Sequence, residues 1–389
     1  MTADERPILI LYASTGGGHK SAARGLEQAF EDCFADLNVA PHDALKQANP
    51  VFRMLYGGGY AAAIKVVPGI IGYLTDKTDA APRNRRPRSS APALMTLRLQ
   101  RWIRRANPSI VIHTHFLTAN IVGRLRARRQ LDGKSVIVVT DFEAHRMWAQ
   151  DADLYCVASA RARDDLIACG AAAERVRVTG IPLRRQFREP PPVAAARRDL
   201  AIPRDQRVVL LLCVAYDRRT AGMIFDQLAD IDGVSVVAIA GGDAVMQSHL
   251  QSRVRDPRHR VLGYTEEIGR WMRAADVVVS KPGGLTSSEA LATETPMVIF
   301  NPIPGPELRN TEYLLENGAA IKVNRPETLG GRVRALLNDP ERLAGMREAA
   351  RRLGRPAAAE EIARATVALN RRETAESEAP GQPTVSPLY

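Results

Sequence analysis

The sequence predicts an α/β protein built as two domains, each with a parallel sheet, facing one another across a cleft. Three observations carry that expectation. An apolar run at residues 8–13 ends in Ser14-Thr15-Gly16-Gly17-Gly18-His19 and passes into a helical pattern through Ala22, Leu26, Ala29 and Phe30. A second alternation of apolar runs and helix-like segments begins after a proline-rich stretch, Pro182 to Pro203. At 389 residues the chain is longer than one ordinary core usually serves.

Short apolar runs at 110–113, 136–140 and 155–157 continue the first alternation, which places a first domain at residues 1–182. Residues 183–203, with Pro190-Pro191-Pro192 and dense charge, read as a linker. Strands at 208–214, 234–240, 260–262, 276–279, 297–300 and 320–323, then helical segments, place a second domain at 204–370. Residues 371–389 hold a tail rich in Glu, Pro, Ser and Thr, expected to be disordered. The region from Ala44 to Arg105 is less regular. It contains an apolar segment, Tyr56 to Leu74, and a basic amphipathic pattern (Leu94, Leu97, Arg98, Arg101, Trp102, Arg104, Arg105). That pattern is either a surface helix covering the core or a helix lying on an anionic membrane with Trp102 as its anchor.

The chemistry concentrates in the second domain. Ser280-Lys281-Pro282-Gly283-Gly284-Leu285-Thr286 joins the apolar run Val277–Val279 to the helical pattern at Ala290-Leu291-Ala292. A glycine turn opening a helix combines bare backbone N–H groups with the positive end of the helix dipole, which favours a diphosphate. Glu289, about one turn in, can accept hydrogen bonds from vicinal hydroxyls such as those of a ribose. In the first domain, Gly16-Gly17-Gly18-His19-Lys20-Ser21 lacks the glycines that a P-loop requires. His19 therefore reads as a general base at a helix start or as a cap on the turn. Asp141, ending the strand Val138-Val139-Thr140, either orients a base, binds a substrate hydroxyl or caps a turn. His145 and Trp148 shape a pocket or simply pack.

Lys and Arg outnumber Asp and Glu by 54 to 43, a formal net charge of +11, which suits an anionic surface. The charge alone supports nucleic-acid binding, since no zinc-finger, helix-turn-helix or aromatic RNA-binding signature accompanies it. No nucleic acid is expected. The four cysteines form no C-x-x-C pair, so neither a disulfide framework nor a structural zinc site is expected. Met-Thr-Ala-Asp-Glu-Arg is not a signal peptide, and the longest apolar candidate is interrupted by Lys65 and Pro68. A cytoplasmic protein held peripherally at the inner face of the cell membrane is expected. Asp151-Ala152-Asp153 has the spacing of a metal site but lies in the first domain, away from the phosphate turn.

In their order and spacing these motifs resemble the monogalactosyldiacylglycerol synthases and the processive diacylglycerol glycosyltransferases. These belong to a wider group that includes the N-acetylglucosaminyltransferase making lipid II. The matching residues are Gly16-Gly17-Gly18-His19, Thr140-Asp141-Phe142 with His145 and Trp148, Gly180-Ile181-Pro182, and Gly263-Tyr264. They continue with Lys281-Pro282-Gly283-Gly284-Leu285-Thr286, Glu289-Ala290-Leu291, and Pro304-Gly305-Pro306-Glu307 with Asn310. The resemblance implies the glycosyltransferase B (GT-B) architecture of two Rossmann-like domains. It also implies a UDP-sugar donor in the second domain and a diacylglycerol-type lipid acceptor in the first.

It further implies inverting hexosyl transfer with His19 as base and Asp141 beside it. Gly17, Gly18, Lys281, Gly283, Gly284, Leu285 and Thr286 would lie around the donor, with Gly263 and Tyr264 on the uracil and Glu289 on the ribose. Glu307 and Asn310 would hold donor hydroxyls or phosphate. No metal and no cofactor is required by this scheme, because the helix terminus supplies the positive field. Two positions depart from the family pattern. Cys213-Val214-Ala215-Tyr216-Asp217 has no glycine where a glycine-rich loop is usual, and Pro306 stands where a glutamine touching the donor sugar is common. The alternatives are an enzyme of the same architecture with a soluble or isoprenoid-linked acceptor or an epimerase activity, and, suggested by the glycine-free loop, a relative that binds UDP without turnover.

Overall fold

A computed structural model describes residues 6–14, 17–49, 96–213 and 216–377. The apolar segment at 56–74 and Leu94 of the basic pattern lie outside these residues, as do Thr15, Gly16, Val214, Ala215 and 378–389. The described chain forms two six-stranded sheets, ordered β2-β1-β3-β4-β5-β6 and β12-β11-β10-β7-β8-β9. Every pairing is parallel. The first sheet uses Ile8–Tyr12, Val39–Asp43, Ile110–His113, Lys134–Val138, Leu154–Val157 and Val176–Val178 as β1 to β6. The second uses Arg207–Leu212, Val234–Ile239, Arg260–Leu262, Val277–Ser280, Met297–Phe300 and Ala320–Val323 as β7 to β12.

Continuous apolar runs form these strands because helices cover both faces. In β1, Ile8 and Ile10 face one cluster with Ala23, Leu26 and Phe30, while Leu9 and Leu11 face another with Leu99, Ile103 and Leu117. The alternation is the two-residue period of the pleat. Counted from β7, the second sheet has the doubly wound order 3-2-1-4-5-6, so its topological switch point lies between β7 and β10. In the first sheet the switch lies between β1 and β3. Ligands of such sheets sit at these points, outside the carboxyl ends of the strands.

Three expectations about organisation change. The connector at 183–203 is packed, not loose: Leu183, Phe187, Ala196, Leu200 and Ile202 share a buried cluster with Val208, Trp271 and Ala290. Arg197 fastens it further, donating to the carbonyl oxygens of Ala274, Arg204 and Gln206 and to Asp276. The last helix, Ala358–Ser377, returns to the first domain, where Ala359, Ile362 and Ala363 pack with Ile8, Ile10 and Leu26. It thus leaves the second domain before residue 370, and it continues to Ser377 where a tail was expected from 371. Apolar side chains at three- and four-residue spacing turn it back onto the open face of the first sheet.

The basic helix is Leu97–Ala106, with Leu99 and Ile103 buried and Arg98, Arg101, Arg104 and Arg105 exposed. Trp102 is half-buried and lies edge-on to His42 with ring centroids 4.7 Å apart, so part of this ring packs on the protein. Among the described residues, no helix is long and apolar enough to cross a membrane.

Candidate active site between the two sheets

The loops after β1, β3 and β4 meet the turns after β10 and β11. Helix Gly17–Cys33 starts directly at the first-sheet switch point and places His19 in its first turn. His19 Nδ1 lies 2.6 Å from the carbonyl oxygen of Thr114, just after β3, and 3.3 Å from Thr140 Oγ1. A carbonyl oxygen only accepts, so Nδ1 carries the hydrogen and Nε2 keeps the lone pair. The Thr114 hydroxyl donates back to the His19 carbonyl at 3.1 Å. The histidine is thus held from two sides in the tautomer a general base needs at Nε2. Burial lowers its pKa from the ordinary histidine value, while the charge of Asp141 and the bond to Thr114 act in the opposite direction.

His115 stands edge-on to His19, centroids 4.5 Å apart. Its Nδ1 accepts from the Leu117 backbone N–H at 3.1 Å, capping the helix Phe116–Ala127. Burial, with the nearby histidines, holds its pKa well below the usual range, so it is neutral. His145 and Trp148 join Phe116 in an aromatic cluster, and Trp148 is buried to 1% exposure. Trp148 is therefore packed rather than an open pocket wall.

On the facing side, the helix Gly284–Ala292 begins at Gly283 with no side chain capping it, which leaves its first backbone N–H groups for a ligand. The glycines divide into two kinds. A Cβ on Gly17 or Gly283 would meet nothing within 4 Å, whereas one on Gly284 would sit 1.8 Å from the Thr140 carbonyl oxygen. A Cβ on Gly18 would touch Leu285 at 3.6 Å. Gly284 therefore lets the domains approach, Gly18 has room for a side-chain carbon in ordinary contact with Leu285, and Gly17 and Gly283 border open space. Thr286 lies in the first turn of the same helix and is partly exposed.

Asn310, on the helix Pro306–Glu316, is fully buried. Its Oδ1 accepts from the Phe142 backbone N–H at 2.9 Å, and its Nδ2 donates to Asp141 Oδ1 at 3.0 Å and to the Pro282 carbonyl at 3.1 Å. Expected to hold donor hydroxyls or phosphate, this side chain has its hydrogen bonds taken by protein. Glu307, on the same helix, accepts from the Ile303 N–H at 2.6 Å. Burial raises its pKa, with Lys281 lowering it and Asp141 raising it. Pro306 occupies the first turn of this helix behind Gly305, whose φ of 98° suits glycine.

Glu289 is buried and its carboxyl is raised to about 7 by burial, against the pull of Arg184. Arg184 comes from the connector, its guanidinium 3.7 Å from Glu289 Oε1. It also borders an open cavity of about 360 Å³ shared with Arg24, Gln28, Gln186 and Tyr264. Tyr264 is 66% exposed, and Gly263 lies against Gln247. The site thus has one end around His19, Asp141, Lys281, Gly284 and Glu307, and a cavity end around Arg184 and Tyr264, with Glu289 against Arg184. In the glycine-free loop, Tyr216 turns inward, its ring against Phe300 and its hydroxyl 3.4 Å from the Phe300 carbonyl. Asp217 caps the helix Arg218–Ala229. Asp153, of the Asp-x-Asp pair, accepts from the Ser135 N–H at 2.7 Å and pairs with Arg126.

Thr114, His115 and Arg184 were not singled out from the sequence. The signals were present: a His-Thr-His triplet closing the strand at 110–113, and arginines two and three residues after Pro182.

Comparison with known proteins agrees with this geometry. The profile of the monogalactosyldiacylglycerol (MGDG) synthase family matches residues 19–183, and that of glycosyl transferases group 1 matches 196–353. A processive diacylglycerol beta-glucosyltransferase of Bacillus licheniformis is 29% identical over 349 residues, covering 88% of this chain and 89% of that one. The protein of that name from Bacillus subtilis is 29% identical over 350 residues, with the same coverage. Among solved structures, S. aureus MnaA with UDP superposes with a TM-score of 0.60 at 13% identity, covering 98% of this chain and 100% of that one. Acinetobacter baumannii MurG superposes at 0.59 and 15% identity, covering 93% and 99%. The chain has the GT-B fold; its first domain is similar to the monogalactosyldiacylglycerol synthases, its second to glycosyl transferases group 1, and most of its length to processive diacylglycerol beta-glucosyltransferases.

Proposed function

We propose that this protein is an inverting glycosyltransferase that moves a hexose from a UDP-sugar to the free hydroxyl of diacylglycerol or of a glycosylated diacylglycerol. The acceptor oxygen attacks the anomeric carbon as the bond from that carbon to the diphosphate breaks. His19 Nε2 takes the hydroxyl proton, and UDP leaves with the bonding pair. The diphosphate sits at the start of the helix Gly284–Ala292, where backbone N–H groups and Lys281 offset its charge. Glu289 binds the ribose hydroxyls, and backbone at Gly263 and Tyr264 reads the uracil. Asp141 holds the acceptor or tunes the base. The exposed arginines 98, 101, 104 and 105 draw the protein to anionic lipid at the inner face of the membrane, where the acceptor resides.

The observation that carries this reading is the His19 tautomer: the Thr114 carbonyl takes the Nδ1 hydrogen and leaves Nε2 as base, beside an uncapped helix terminus. Purified protein incubated with diacylglycerol vesicles and a panel of labelled UDP-sugars should yield a glycolipid on lipid chromatography. His19→Ala should lose transfer by about 10²-fold or more while UDP binding persists. Transfer only to an isoprenoid-linked acceptor, or UDP binding with no turnover at all, would reject the proposal.

A further inference from the structure

We propose that Asn310 is a positioning residue: on domain closure its carboxamide fixes the segment Thr140–Phe142 onto the donor-side turn at Pro282, and so sets Asp141 beside His19. The proposal rests on the glycosyltransferase reading above, and it assigns Asn310 to the protein rather than to the donor sugar.

The hydrogen-bond inventory decides the assignment. Asn310 is 0% exposed. The Phe142 N–H is a donor, so the atom facing it is the amide oxygen. That orientation directs Nδ2 to two acceptors, Asp141 Oδ1 in the first domain and the Pro282 carbonyl in the second. The carboxamide oxygen and both N–H groups thus have protein partners, and one side chain ties together the two faces of the cleft.

Its helix repeats the grip along one face. Tyr313, three residues on, stacks on Phe142 with centroids 4.6 Å apart and planes within 14°. Arg309 lies 3.9 Å from Glu143, and Glu316 pairs with Arg161 at 2.5 Å. The segment being gripped reaches the base directly, because Thr140 Oγ1 is 3.3 Å from His19 Nδ1. The same segment presses its Thr140 carbonyl against Gly284. Asn310 therefore acts on the reaction through Asp141 and Thr140, at the point where the base meets the phosphate turn.

The test is transfer kinetics and UDP binding for Asn310→Ala, Asn310→Asp and Tyr313→Leu. For Asn310→Ala, kcat should fall about 10²-fold with the donor KM and UDP affinity unchanged. Asn310→Asp should be at least as impaired: it keeps the shape, loses both N–H donors and sets a second carboxylate against Asp141. A ligand of sugar hydroxyls would tolerate that change, since a carboxylate accepts from hydroxyls. A raised donor KM with kcat intact, or near-normal turnover in Asn310→Asp, would overturn the assignment. Tyr313→Leu loosens the same grip without touching the buried amide, and should lower kcat at constant KM even if the Asn310 variants fold poorly. Should the wild type bind UDP but transfer no sugar, the functional reading fails independently. The clamp is then read by a fluorophore pair across the cleft, which should report a wider separation in Tyr313→Leu; an unchanged separation removes it.

Discussion

At the scale of single residues, the pairing of His19 with Asp141 makes a signed prediction. Burial lowers the His19 pKa, and the Asp141 charge partly offsets that lowering. Asp141→Asn removes the offset, so Nε2 stays unprotonated to more acid pH. The acid limb of log kcat/KM, which reports the free enzyme, should move to lower pH whatever happens to the plateau. A limb that stays put or moves up would remove Asp141 as an influence on the base. The placement of His19 and Asp141 at the cleft was legible because each follows a recognisable strand-and-turn pattern. The carbonyl that selects the tautomer was not legible, because Thr114 lies 95 residues from His19 and only the sheet order brings them together. Asn310 shows the same limit in reverse: its motif marked it, but only the fold reveals that its amide is spent on Phe142, Asp141 and Pro282.

At the scale of elements, the glycine turn before the helix Gly284–Ala292 carries two duties that look alike in sequence. Gly283 borders open space, while Gly284 abuts the Thr140 carbonyl. Gly284→Ala sets a methyl group against backbone, which no rotamer change relieves, so the domains must part. Transfer should drop about 10²-fold and the thermal midpoint should fall with it, because Ala22, Phe142 and Ile181 of the first domain share one buried cluster with Leu285 and Ala290 of the second. Wild-type transfer in this variant would contradict the close approach. All six strands of the second sheet were legible: most are buried apolar runs, and Arg260–Leu262 is a short edge strand with Val261 buried. Two strands of the first were not. Val39–Asp43 carries Pro41 and polar residues, tolerable because it is an edge strand, and Val176–Val178 is a three-residue edge around an exposed Arg177.

At the scale of the whole molecule, the two-domain plan was readable from the repeated strand–helix alternation, but the route of the chain was not. Periodicity marks the last helix as amphipathic without saying which sheet its apolar face covers. In the structure that face covers the first sheet, so the domain that begins the chain is completed by residues near its end. Ile362 is fully buried there beside Ile8, Ile10 and Leu26. Ile362→Ala should cost about 2–5 kcal/mol, the usual range for emptying such a site. The location of the loss is the sharper reading. Hydrogen exchange should rise in β1, β3 and the helix Gly17–Cys33, hundreds of residues away in sequence, while β7 to β12 keep their protection. Loss of protection confined to the second sheet would mean the helix belongs to its sequence neighbours, and the two domains would then be joined by one crossing of the chain rather than two.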